Sequence, residues 1–122
     1  MTKSNRTFTQ TEAGNGGLVQ FPYAPGDWSR HKALAVASLE GIFLSEDHWA
    51  VVRALQEYFA RNELRERSMR AVHDALDEHF HTRGGRKYLY RLFPGGPVAQ
   101  GCRIAGLPVP ALAVDRSFGS VM

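Results

Sequence analysis

The chain has 122 residues, a formal net charge of +3, 43% hydrophobic and 22% charged residues and a single cysteine. This is the balance of one soluble globular domain able to build its own core; it excludes disordered and fibrous classes, and the lone cysteine excludes an internal disulfide. No apolar run nears the ~18 residues that span a bilayer, and the opening "MTKSNRTFTQ" lacks an apolar signal core, so the expected setting is cytoplasmic, away from membranes.

Residues 6–21, "RTFTQTEAGNGGLVQF", hold two β-prone pieces around a glycine-asparagine turn and predict an N-terminal hairpin, with residues 1–5 disordered before it. "FPYAPGD" then separates the hairpin from helical sequence. Asp27 is the expected N-cap of a first helix whose apolar stripe is Trp28, Leu34, Ala35 and Leu39 and whose stop is Gly41. Ser45 should cap the next helix, where Glu46 and Asp47 suit the positive end of the dipole and Trp49, Val52, Leu55 and Phe59 recur at helical spacing. A third helix carries Met69, Val72, Leu76 and Phe80 on one face, and Gly84-Gly85 end it or start the turn beyond it. "RKYLYRLF" predicts a short helix stopped by Pro94, and Pro97 fits the first turn of a last helix ending near Gly106. "LPVPALAVDRSFGSVM" has no helical period and alternating prolines, so residues 107–122 read as an extended arm. The expected fold is mainly α: a small helical bundle with an N-terminal β-hairpin and an extended C-terminal arm, one domain over 1–122.

Cys102 is the first candidate for chemistry. Val98, Cys102 and Ala105 share one face of the last helix, while Gln100 and Arg103 point elsewhere. That spacing suits a packed thiol; Arg91 and Arg103 could instead supply the positive potential of a reactive one. His73, His79 and His81 invite a metal reading, but His79 and His81 point to different sides of a helix and no cysteine or carboxylate joins them at ligand spacing, so no metal site is expected. A cysteine hydrolase would need a histidine brought to Cys102 by tertiary contact. "GGLVQF" and "PGGP" lack the strand-to-helix setting and the lysine of a phosphate loop, and no cofactor is expected.

Positive charge is concentrated in Arg61, Arg65, Arg67, Arg70, Arg83, Arg86, Lys87 and Arg91. The helix near 67–80, the turn "TRGG" and "RKYLYRLF" could form a helix-turn-helix, with Arg86, Lys87 and Arg91 at phosphates and Tyr88 or Tyr90 at bases. The plainer reading is a solvated basic face above a core of Tyr88, Leu89 and Leu92, since interspersed acids weaken a nucleic-acid footprint.

"KYLYRLFPGGPVAQGCRIAGLPVP" resembles the C-terminal signature of the DsrC/TusE family of sulfur-relay proteins, KYLYxLFPxGPxxQxCxxAGLPxP. "LSEDHWAVVRALQEYF" and "GDWS" extend the likeness over roughly residues 6–110. The resemblance implies a small helical protein with an N-terminal hairpin and a mobile arm. In DsrC-type members a cysteine on the last helix and another on the arm carry sulfur as persulfide or trisulfide; TusE-type members keep the arm cysteine and pass sulfur towards a tRNA wobble uridine. The partners implied are other sulfur-relay proteins or a sulfite-reductase-type enzyme, with Arg86, Lys87, Arg91 and Arg103 as candidate docking residues.

Cys102 matches the upstream cysteine of this pattern, and Ala113 stands where the arm cysteine belongs. An alanine cannot be persulfidated, so Cys102 is the one candidate sulfur-bearing thiol, acting at most as a sulfurtransferase-type carrier with partner enzymes. The alternative is a regulatory homologue that has lost carriage and uses its basic, helix-turn-helix-like surface for a protein or DNA partner.

Overall fold

The computed structural model describes residues 20–111. Five α-helices lie in this range: α1 (Arg30–Leu39), α2 (Glu46–Arg61), α3 (Met69–His79), α4 (Gly85–Leu92) and α5 (Pro97–Ala105), with 3-10 turns at Leu64–Glu66 and His81–Arg83. No strand occurs among the described residues. The expected hairpin lies outside them apart from its last two residues, as do the arm residues after Ala111.

The last helix is the hub, because α5 packs against all four of the others. Its small residues make this possible. A Cβ on Gly101 would stand 2.6 Å from Leu55 Cδ1 of α2, closer than packed carbons approach, so glycine sets the spacing between these two helices. Around that contact Val51, Val52 and Leu55 are sealed from solvent, each side chain contributing about 1.5–3 kcal/mol by burial. Pro97 opens α5 at its first turn and Gly106 closes it in the left-handed conformation, both as the sequence predicts.

The first helix differs from expectation in its cap and in its face. Ser29, rather than Asp27, is the N-cap, its hydroxyl accepting the Lys32 N–H at 3.1 Å. Asp27 is instead held inside a turn closed by the Trp28 N–H on the Pro25 carbonyl. Of the expected stripe, Trp28 is half-buried, but Leu34, Ala35 and Leu39 face outward, while Ala33 and Ala37 are buried. Close packing of α1 on α5 selects alanines over bulkier side chains. The other stripes hold: Trp49, Val52, Leu55 and Phe59 on α2, and Val72, Leu76 and Phe80 on and just after α3, are buried.

The segment from Leu107 to Ala111 has no regular structure. Leu107 packs partly against the core, and Pro108 to Ala111 line one wall of a cleft whose other wall includes Phe59, Leu64, Arg65 and Arg67.

Candidate functional site

Cys102 sits in the middle of α5 with 0% of its surface exposed, on the face it shares with Val98 and Ala105, which are also buried. Its carbonyl accepts the N–H groups of Gly106 and Leu107, closing the helix. Burial pushes its thiol up to about 12, and the neighbouring charge of Arg103 pulls only weakly the other way. Of the two readings open in the sequence, the packed thiol is the one this geometry matches. A nucleophilic thiolate needs exposure and a lowered pKa, and Cys102 has neither.

A polar tether holds α5 in place beside the thiol. Arg103 donates to both oxygens of Glu40, from Nε at 2.5 Å and from Nη2 at 2.9 Å, and this paired bond holds the Glu40 carboxyl below its ordinary range. Gln100 donates to the same carboxylate at 3.0 Å and accepts the Gly95 N–H at 2.8 Å. Gln100 points away from the thiol face, as the spacing implied, yet it is buried and bonds across to α1 rather than reaching solvent. Trp28 Nε1 donates to the Ile104 carbonyl at 2.8 Å, and its ring lies against Gly106, where a Cβ would meet it at 2.8 Å.

A second tether fixes the turn before α5. His48 accepts the Ser45 N–H on Nδ1 at 3.0 Å, so its Nε2 carries the proton donated to the Leu92 carbonyl at 2.8 Å, and its ring meets Phe93 edge-on at 5.0 Å. Glu40, His48 and Trp28 were not identified as site residues from the sequence. The available signal was a polar or aromatic residue at each end of a helix, which is compatible with many roles.

The basic residues divide into two kinds. Arg86 makes a two-nitrogen contact with Asp77 Oδ2 at 3.0 and 3.2 Å, and Arg103 is committed to Glu40. Lys87 and Arg91 are exposed, lie one turn apart on α4, and have no ion-pair partner among the described residues. Tyr88 is half-buried with its ring 5.9 Å from Phe80, and Tyr90 lies 5.7 Å from His73. Helices α3 and α4 do follow each other through a tight turn. The residues expected at phosphates and bases are nonetheless partly engaged within the protein.

The histidines do not converge. His73 faces Asp77 at 3.5 Å, His79 meets the Phe80 ring edge-on at 4.7 Å, and His81 lies exposed in the 3-10 turn. Among the described residues no three histidine, cysteine or carboxylate side chains gather at metal-binding distance, and none of the histidines is hydrogen-bonded to the sealed thiol. No described helix is long and apolar enough to cross a membrane.

Comparison with known proteins matches this arrangement to one family. The family described as DsrC like protein matches residues 11–114. A sulfurtransferase TusE from Salmonella paratyphi A is 39% identical over 87 residues, covering 71% of this chain and 80% of the relative. The TusE of Escherichia coli K12 is 37% identical over the same span. Among solved structures, the NMR structure of Allochromatium vinosum DsrC superposes with a TM-score of 0.59 at 36% identity, covering 70% of this chain and 76% of that one. With a family match over most of its length and relatives of this identity, the chain belongs to the DsrC-like protein family.

Proposed function

We propose that this chain is a sulfur-relay protein of the DsrC/TusE type that acts by engaging other relay proteins while its own thiol stays out of reach in the resting fold. One observation carries the second half of this reading: the sole cysteine is sealed inside the bundle, and alanine occupies position 113. Sulfur moves between relay proteins by attack of a thiolate on a persulfide sulfur, so both ionisation and an open approach are needed. With a thiol titrating at about 12, the thiolate fraction at pH 7 is on the order of 10⁻⁵. Loading Cys102 therefore requires α5 to come away from the helices packed around it, a local opening with its own free-energy cost.

Docking needs no such opening. Lys87 and Arg91 offer two exposed cations, without an ion-pair partner among the described residues, to an acidic face of a relay protein or of a sulfite-reductase-type enzyme, whereas Arg86 and Arg103 act first as internal ties. A lone reduced thiol suits work in the cytoplasm.

The test is mass spectrometry of the intact protein after exposure to a persulfide donor, with a purified TusE-type protein as positive control. Wild type is expected to gain no sulfur, and Ala113→Cys is expected to gain one atom. In the same assay, excess wild type should slow sulfur transfer from the donor enzyme to the TusE-type protein, and charge reversal at Lys87 and Arg91 should abolish that competition. Sulfur appearing on Cys102 as fast as on Ala113→Cys would overturn the reading, and so would the absence of any competition.

A further inference from the structure

A cleft of about 410 Å³ opens on the other side of α2 from the thiol chemistry, lined by Phe21, Tyr23, Arg53, Phe80, Thr82 and Arg83 among others. Phe21, Tyr23 and Phe80 give it aromatic walls, and two arginines, Arg53 and Arg83, stand among its polar groups. Glu57 also lines it, its carboxylate paired with Arg61 at 2.9 Å. Arg83, at the rim, reaches Asp47 at 3.1 Å and is about half exposed.

Arg53 is the unusual member. Its guanidinium is half-buried, lies 5.5 Å from the Phe21 ring, and has no carboxylate at ion-pair distance among the described residues. A second guanidinium, Arg30, stands 5.9 Å from the same ring. Burial, reinforced by the Arg30 charge, holds Arg53 below the usual arginine range, with Glu46 opposing only in part. Two cations drawn around one buried ring, with one of them facing a cleft, form a site that an anion would stabilise. The aromatic walls add apolar surface for whatever bears that anion.

We infer that this cleft binds a small molecule carrying an oxyanion, such as a phosphate or sulfonate, on a planar body, with Arg53 holding the oxyanion, Arg83 and Thr82 at its rim, and Phe21, Tyr23 and Phe80 against the ring. Cys102 plays no part in this site, so the sulfur-relay reading and this one fail independently.

Titration of the full-length ¹⁵N-labelled chain with phenyl phosphate tests it, with inorganic phosphate, benzenesulfonate and phenol as comparisons. Saturable amide shifts are expected at Arg53, Ala54, Thr82 and Arg83 with phenyl phosphate and benzenesulfonate, weaker ones with inorganic phosphate, and none with phenol. Arg53→Gln should weaken phenyl phosphate by about tenfold, the loss of one charge-assisted hydrogen bond, and Arg53→Lys should fall between it and wild type. No saturable shift at these residues, equal shifts with phenol, inorganic phosphate binding as tightly as phenyl phosphate, or unchanged affinity in Arg53→Gln would each overturn the inference. Should Arg53→Gln fail to fold, Arg83→Gln replaces it under the same expectation of weakened binding, and unchanged affinity there overturns the inference as well.

Discussion

A thiol that stays protonated to about pH 12 in the folded chain, against an ordinary cysteine value of about 8.5 when unfolded, links stability to alkali. Above the unfolded value the unfolded chain has lost a proton that the native chain keeps. Stability that is fully present below pH ~8.5 is therefore lost as pH rises towards 12, at about 1.4 kcal/mol per pH unit once the unfolded thiol is ionised. Urea unfolding of wild type between pH 8 and 10.5 is expected to show this added slope, and Cys102→Ala should lack it. The same burial predicts that iodoacetamide labels Cys102 only through opening of the fold, so labelling should accelerate in step with the unfolded fraction as urea is added. The shared face of Val98, Cys102 and Ala105 favoured a packed thiol in the sequence and left a reactive one open. Whether that face met solvent or four other helices was not legible, because it depends on where α5 sits in the bundle rather than on its own sequence.

At the scale of the element, α5 owes its central place to the absence of a side chain at Gly101. Gly101→Ala is expected to destabilise by roughly 1–3 kcal/mol as Leu55 is displaced, read as a lowered urea midpoint with unchanged slope. The Glu40 tether works in acid rather than alkali. Hydrogen bonding to Arg103 lowers the Glu40 carboxyl, so its contribution is present above the ordinary glutamate range and is lost as pH falls through the folded value. Glu40→Gln should therefore flatten the acid limb of the stability profile between about pH 5 and pH 3, measured by thermal melting. Helix α1 shows where element-level reading failed. Periodicity weighs large apolar residues most, so it selected Leu34 and Leu39, yet the residues this helix buries are Ala33 and Ala37. Its cap was misplaced for a related reason: Asp27 and Ser29 are both good capping residues, and only the turn from Pro25 to Trp28 decides between them. Helix α2 was readable because Trp49, Val52, Leu55 and Phe59 are at once large, periodic and buried.

For the whole molecule, the run from Lys87 to Pro110 carries the family resemblance on its own, since its residues serve several structural needs at once. Pro94 and Pro97 bound helices, Gly101 and Gly106 permit close approach, and Gln100 ties α5 to α1. A motif dense with such constraints is specific, yet it marks a scaffold as much as an activity, which is how the chain keeps the family's architecture without an accessible thiol. If docking rests on Lys87 and Arg91, affinity for a relay partner should fall steeply between low and physiological salt, as calorimetry at two ionic strengths would show. Arg86→Gln should act differently, loosening the tie to Asp77 and lowering stability by at most about 1 kcal/mol with little effect on salt dependence.

The indole of Trp28, bonded to the Ile104 carbonyl and resting on Gly106, gives the molecule an optical reporter. Its emission colour depends on whether that carbonyl stays in place, and Trp49, the other indole, is buried against a shared neighbour, the Phe21 ring, which lies 4.9 Å from Trp28 and 5.6 Å from Trp49. In a Trp49→Phe background, a partner that settles on the outer surface of α4 should leave the spectrum where it was, whereas one that prises the last helix from the first should shift it to the red.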